Sequence, residues 1–188
     1  MKKSIITIVG FPGSGKSSTA RGVAEVLGYE RFSSGDLMRQ IGAKRGLSIE
    51  ETNTAAETDP TFDQEVDEAL RGLNAREKLV VDSRIAYHWL PDSFKVLLKL
   101  DPVIGAQRVF SQLQKEGRAN ETASSLEEVE RNLRLRIESE CKRYQAAYGV
   151  DYRDEKNFDL IVDTAAYPLE GVVRMITEKY IGWINTPG

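Results

Sequence analysis

The sequence predicts a three-layer α/β fold, a five-stranded parallel sheet with helices on both faces. Three observations carry this. Short strand-like runs at Ile5–Val9, Tyr29–Phe32, Leu79–Val81, Phe94–Leu100 and Leu160–Val162 recur with helical segments between them. The first run is β-branched throughout and, but for Thr7, apolar, as expected of a strand buried on both faces. It leads without a break into a glycine turn and then into Ala20, Val23, Ala24 and Leu27 at helical spacing.

The elements follow in order. Gly10-Phe11-Pro12-Gly13-Ser14-Gly15-Lys16-Ser17-Ser18 fits G-x-x-x-x-G-K-[ST], the phosphate-binding loop, in the strand–turn–helix context the motif needs. Gly10, Gly13 and Gly15 let backbone wrap an anion, and the new helix aims free N–H groups and its positive dipole end at it. Lys16 adds a charge for the β- and γ-phosphates of a nucleotide, and the Ser17 hydroxyl is placed for Mg²⁺. Gly28 is the expected stop of this helix. Ser48-Ile49-Glu50-Glu51 and Ser125-Leu126-Glu127-Glu128 fit capping boxes, and Asp59-Pro60 sets a cap before a proline. A long helix is expected from about Ser125 to Tyr148, with Leu126, Val129, Leu133, Ile137, Cys141, Tyr144 and Tyr148 as a core stripe. Pro168 opens the last helix, with Val172, Val173, Ile176 and Ile181 on its buried side. Gly117–Ser124 reads as a flap between helices rather than a linker between domains.

At 188 residues the chain suits one well-buried core. Its hydrophobic fraction is 40% and its charged fraction 29%, an ordinary soluble balance. No apolar run approaches the ~20 residues of a membrane helix, and the apolar stretch after Met1-Lys2-Lys3 is too short for a signal peptide, so a cytoplasmic protein is expected. The single cysteine, Cys141, excludes an internal disulfide, and with the single histidine, His88, it argues against structural zinc. A net charge of −3 gives no global attraction to nucleic acid, so an anionic substrate must be held by local Arg and Lys.

Several residues fit that role. Asp82 ends an apolar strand, where a carboxylate can hold magnesium or cap the next segment. The second strand runs into Ser33-Ser34-Gly35, and strand ends of such sheets face the ligand crevice. Arg39, one turn on, and Arg84, two residues beyond Asp82, are candidates for a shared anion. Arg136, Glu140 and Arg143 step by four and three along one face of the long helix. They make either an exposed ion-paired face or a set of arginines for a transferring phosphoryl group.

With these residues in hand the chain resembles the P-loop nucleoside monophosphate kinases, most of all the short cytidylate kinases, over nearly its whole length. The carriers are the phosphate loop, Ser33-Ser34-Gly35 with Arg39, Asp82-x-Arg84, Arg136-x-x-x-Glu140-x-x-Arg143 and Asp159–Thr164. The resemblance implies one kinase domain over 1–188. Its monophosphate-binding helices fall at about 35–76, with Asp59-Pro60, Asp63 and Asp67 among them, and a short lid lies at about 112–143. It implies transfer of the ATP γ-phosphoryl group to CMP or dCMP with Mg²⁺ by a monomer that binds small nucleotides and neither nucleic acid nor membrane. ATP would lie on Gly10, Gly13, Ser14, Gly15, Lys16, Ser17 and Ser18, its adenine against Arg108, with Mg²⁺ on Ser17 and Asp82. Ser34, Arg39, Arg84 and Glu140 would hold the acceptor, and Lys16, Arg136 and Arg143 would act on the transferring group. The chain departs from the family at Ser83, where D/E-G-R has glycine, at Gln112, where a second arginine is frequent, and in the aromatic segment after Arg84. An adenylate- or shikimate-type kinase remains an alternative, as does a non-enzymatic ATP-binding regulator, although the Asn-Lys-x-Asp motif of guanine-nucleotide switches is absent.

Overall fold

The structure, a computed structural model, describes residues 2–116 and 125–186. The flap expected at 117–124 lies outside the described residues. The five strands form one parallel sheet: β1 (Ile5–Gly10), β2 (Glu30–Ser33), β3 (Leu79–Asp82), β4 (Phe94–Lys99) and β5 (Leu160–Asp163), in the order β2-β3-β1-β4-β5. All four pairings are parallel, so each connection is a crossover carrying helices. Central β1 is buried along its length, whereas β5 at the edge leaves Ile161 exposed.

Alternation along the strands divides the core. Ile6, Ile8, Val80, Val96, Leu98 and Val162 face α1 (Lys16–Leu27) and α8 (Leu169–Asn185), which cover them with Ala20, Val23, Val173 and Ile176. Ile5, Leu79 and Val81 face the opposite layer, where α2 (Ser34–Lys44) and α4 (Thr61–Gly72) supply Ile41, Phe62, Val66 and Leu70. α3 (Ile49–Ala55) packs on α2, and the single turn α5 (Ala86–Trp89), flanked by the buried Ile85 and Leu90, packs against β1 and α4. α6 (Pro102–Glu116) and α7 (Leu126–Tyr148) pack together through Ala106, Val109 and Val129.

The local signals act as the sequence suggests. Gly28 ends α1 in the left-handed region at φ 64°. Ser48 and Glu51 form a reciprocal capping box on α3, and Ser125 Oγ accepts from Glu128 N on α7. Asp59 accepts from Thr61 N at 2.9 Å, so its carboxylate caps α4 across Pro60. Three expectations change. Tyr29 precedes β2 and joins the α1–α8 core, its hydroxyl 3.0 Å from that of Tyr180. Ile181 is 47% exposed; Tyr180, one residue earlier, fills the core position, because 3.6 residues per turn carries the buried face from Ile176 to Tyr180. On the α7 stripe only Val129 is fully buried, the rest being half-buried, because α7 lies at the rim of the sheet.

Candidate active site

β1 ends at Gly10, and the chain turns through the loop before α1 begins at Lys16. Gly15, the N-cap, has φ 75°, and Gly13 has φ 76°. Space as well as conformation demands glycine at Gly13, since a Cβ there would lie 2.4 Å from the carbonyl oxygen of Gly105 in α6. A Cβ on Gly10 would lie 2.5 Å from Ser14 Oγ. Ser14 is buried, and its hydroxyl has no hydrogen-bond partner among the described residues. The first turn of α1 carries no acidic side chain, so its N–H groups and dipole are left to an external anion. Ser17 and Ser18 are exposed on that turn.

The parallel register sets Asp82 beside Ile8, at the C-terminal end of β3 and level with the start of the loop. Its carboxylate is fully buried and is ion-paired with Lys16 Nζ through Oδ1. The Ser17 hydroxyl lies on the side of the same carboxylate and favours its charged form, and Arg31 Nη2 reaches Oδ2 at 3.2 Å. Burial pushes the Asp82 pKa up, but Lys16, Ser17 and Arg31 outweigh it and hold the carboxyl below the usual range. Burial lowers the Lys16 pKa, with Asp82 opposing and Arg84 and Arg136 adding to the fall. Ser34, at the head of α2, donates its hydroxyl to the Asp82 carbonyl at 3.4 Å.

Arg84 follows Asp82 over the strand end and meets α7. Its Nε lies 2.8 Å from Glu140 Oε2, and Arg136 Nε donates to Glu140 Oε1 at 3.1 Å. Glu140 is almost wholly buried. Burial raises its pKa, but Arg84 and then Arg136 hold the carboxyl below the ordinary range. Three residues on, Arg143 Nη1 donates to Asp63 Oδ2 at 2.8 Å and to the Ala56 carbonyl at 3.2 Å, binding α7 to α3 and α4. Arg39 stands apart, half exposed and paired with Asp36 on its own helix. Arg108 lies across the loop from these groups, bonded to the Gly13 carbonyl at 3.5 Å and the Thr164 carbonyl at 2.9 Å. Lys16, Ser17 and Asp82 thus form one cluster, Arg84, Arg136 and Glu140 a second and Arg143 with Asp63 a third.

The protein-family profile described as "AAA domain" matches residues 9–130. The chain is 38% identical to a cytidylate kinase of Methanothrix thermoacetophila, a match covering 90% of this chain and 93% of that protein. This chain belongs to the nucleoside monophosphate kinase family. It is an ATP-dependent phosphotransferase of the cytidylate kinase type. The kinase is also 34% identical, over 95% of its length, to an S-adenosylmethionine-dependent nucleotide dehydratase of Lacinutrix mariniflava, but spans only 36% of that protein. Its fold matches a shikimate kinase from Bacteroides thetaiotaomicron with TM-score 0.63 at 15% identity, covering 93% of this chain and 96% of that one.

Sequence reading missed Arg31 and could not give the surroundings of Asp67 and Ser83. Arg31 bridges Asp82 and Asp36, the latter at 3.3 Å, and its signal was a lone cation in a short strand. Asp67 is buried and accepts Trp89 Nε1 at 2.9 Å on one oxygen and the Tyr148 hydroxyl on the other. The aromatic segment after Arg84 therefore serves partly to seal this carboxylate, and the Arg71 guanidinium lies 3.9 Å over the Trp89 ring. Ser83, where the family has glycine, is buried and tied to backbone: its N–H donates to Ile8 O at 3.2 Å and its hydroxyl accepts from Ile85 N at 3.3 Å. His88 packs against Trp89, ring centroids 4.6 Å apart. Cys141 is half-buried against the Val9–Leu97 cluster, and burial raises its pKa.

Proposed function

We propose that the kinase transfers the γ-phosphoryl group of ATP to CMP or dCMP. The observation that carries this reading is the juxtaposition of two charge clusters across one strand end, Lys16–Asp82 on the loop side and Arg84–Glu140–Arg136 on the far side. A donor triphosphate on the loop would meet Lys16, the first-turn amides of α1 and the orphaned Ser14 hydroxyl. Arg108 stands at the donor end for the adenine. Arg84 and Arg136 carry the charge needed where an acceptor phosphate meets the transferring group, and Arg39 and Ser34 lie at the head of α2 on the acceptor side. Arg143, whose Nη1 is held by Asp63 and Ala56, would join Arg136 from α7 on the transferring group, between donor and acceptor phosphates.

A hydroxyl beside a carboxylate, Ser17 with Asp82, is a donor set of hard oxygens that fits Mg²⁺. When bound, the ion supplies charge neutralisation on the donor phosphates. The attacking group is an acceptor phosphate oxygen, ionised at neutral pH, so no general base is required. The half-buried walls of α4 and α7 exclude water, which limits ATP hydrolysis. In this reading α2 to α4 form the acceptor-binding part of a single domain and the start of α7 belongs to the lid. The substrates are small nucleotides met in the cytoplasm, and the kinase acts as a monomer.

The test is an acceptor panel assayed with ATP and Mg²⁺. CMP and dCMP should turn over faster than AMP, shikimate or gluconate, and absence of CMP and dCMP turnover would sink the proposal. Lys16→Ala should lose about a thousandfold in rate.

A further inference from the structure

Beyond the pairs that the proposed reaction uses, alternating charges run in one line from the head of α2 to the loop. Arg39 pairs with Asp36 Oδ1 on its own helix, and Asp36 Oδ2 lies 3.3 Å from Arg31 Nη2. The same Arg31 nitrogen lies 3.2 Å from Asp82 Oδ2, while Lys16 takes Asp82 Oδ1. The register of β2 on β3 fixes this line, because Ser33 stands opposite Asp82 and Arg31 shares the face of Ser33. Ser33 Oγ in turn accepts from Asp36 N at 3.3 Å, which sets Asp36 over the strand end. Burial along the line is unequal: Asp82 is wholly buried, Arg31 is 22% exposed, and Asp36 and Arg39 are nearly half exposed. Burial raises the Asp36 pKa, but Arg39 and then Arg31 outweigh it and hold the carboxyl below its usual range, so both cations act on Asp36. Asp82 is thus held by two cations, of which a donor triphosphate on the loop draws off only Lys16.

We infer that Arg31 is a positioning residue that keeps Asp82 Oδ2 occupied until an acceptor phosphate takes Arg39 from Asp36. This rests on the nucleotide-kinase reading above, in which Arg39 serves the acceptor and Asp82 with Ser17 takes Mg²⁺. The Arg39–Asp36 pair is half exposed and contributes little, so a phosphate that grips Arg39 bidentately can displace the carboxylate. Asp36 then keeps one cation instead of two and draws Arg31 toward itself. The shift loosens the hold on Asp82 and frees Oδ2 for the metal. Arg31 and Mg²⁺ are rivals for one oxygen, and the acceptor decides between them. Such coupling is reciprocal, so the metal nucleotide raises affinity for the acceptor by the same factor. A kinase wired this way completes its metal site only when an acceptor is present, which spares ATP from water.

The test is calorimetric titration with the non-hydrolysable ATP analogue AMP-PNP, in Mg²⁺ and again in EDTA, with and without saturating CMP. It is run on the parent, Arg31→Met and Asp36→Asn. In the parent, CMP should tighten the Mg²⁺ complex about 5–10-fold more than the metal-free analogue, the lower end of such couplings because Asp36 is half exposed. Both variants should lose most of this difference, but at opposite levels. Arg31→Met removes the rival, so without CMP its affinity should already match the parent's CMP-bound value, and its acceptor-free ATP hydrolysis should rise. Asp36→Asn leaves Arg31 on Asp82, so its affinity should stay at the parent's weaker, CMP-free value even with CMP. If Arg31→Met does not fold, Asp36→Asn, altered at the exposed end of the line, carries the test. A CMP effect in Asp36→Asn equal to the parent's would overturn the inference. So would weaker metal-dependent binding in Arg31→Met, or a parent that turns CMP over while its metal affinity ignores CMP. Absence of CMP and dCMP turnover in the parent would remove the nucleotide-kinase reading itself, and this one with it.

Discussion

Glu140 shows at the scale of one residue how the site is wired. It is a nearly buried carboxylate serving two arginines from different elements, Arg84 after β3 and Arg136 on α7. Breaking such a cluster leaves guanidinium groups without a partner in a poorly solvated place, so Glu140→Gln should cost about 3 kcal/mol in urea unfolding at pH 7. The sign with pH follows from its depressed pKa. The folded value lies below the unfolded one, so the stabilisation is complete above the ordinary carboxylate range and is lost as pH falls through the folded value. The parent and Glu140→Gln curves should separate at pH 7 and converge only once the pH has fallen below the ordinary carboxylate range. Much at this scale was legible in the sequence. The loop motif, Asp82 at a strand end and the Arg136–Glu140–Arg143 spacing are local signals, and the fold brings the first two together and sets Arg84 against Glu140. Arg31, by contrast, could not be ranked, because its link to Asp82 depends on two strands pairing in one register.

At the scale of elements, all five strands and the main helix boundaries follow from apolar runs, caps and glycines. What periodicity misjudged was position within the layers. The α7 stripe has the pattern of a core helix, yet a rim helix carries the same pattern half-buried, and the difference lies in what packs over it. Helix contacts also explain a glycine that no turn requires. In α2, Gly42 faces α3 so closely that a Cβ would lie 2.0 Å from Thr52 Oγ1 and 3.0 Å from Thr52 Cβ. Gly42→Ala gains helix propensity, about 1 kcal/mol, but forces the two helices apart at a cost of about 1–3 kcal/mol. The variant should therefore be less stable in urea. Because α2 carries Ser34 and Arg39, its KM for the acceptor should rise while the KM for ATP stays near the parent value.

At the scale of the whole molecule, the sheet order places β3 and β1 side by side, so that one strand end carries the loop, Asp82 and Arg84, while Arg143–Asp63 and Tyr148–Asp67 bonds join α7 to α4. Five cations near this strand end, Lys16, Arg31, Arg84, Arg136 and Arg143, with Arg39 at the margin, share four carboxylates, Asp36, Asp63, Asp82 and Glu140. That arrangement has a consequence for life in a crowded salt solution. Beyond the loop amides, at the paired arginines, an anion gains a place only by exchanging itself for an internal carboxylate, and a small one offers too few oxygens to displace several partners at once. Two nucleotides arriving with a chain of phosphates can do so. Orthophosphate and sulfate should accordingly be poor inhibitors in initial-rate assays, and Glu140→Gln should make the enzyme more sensitive to both. The paired acids act as a filter that keeps metabolic phosphate from fouling a site built for polyphosphates.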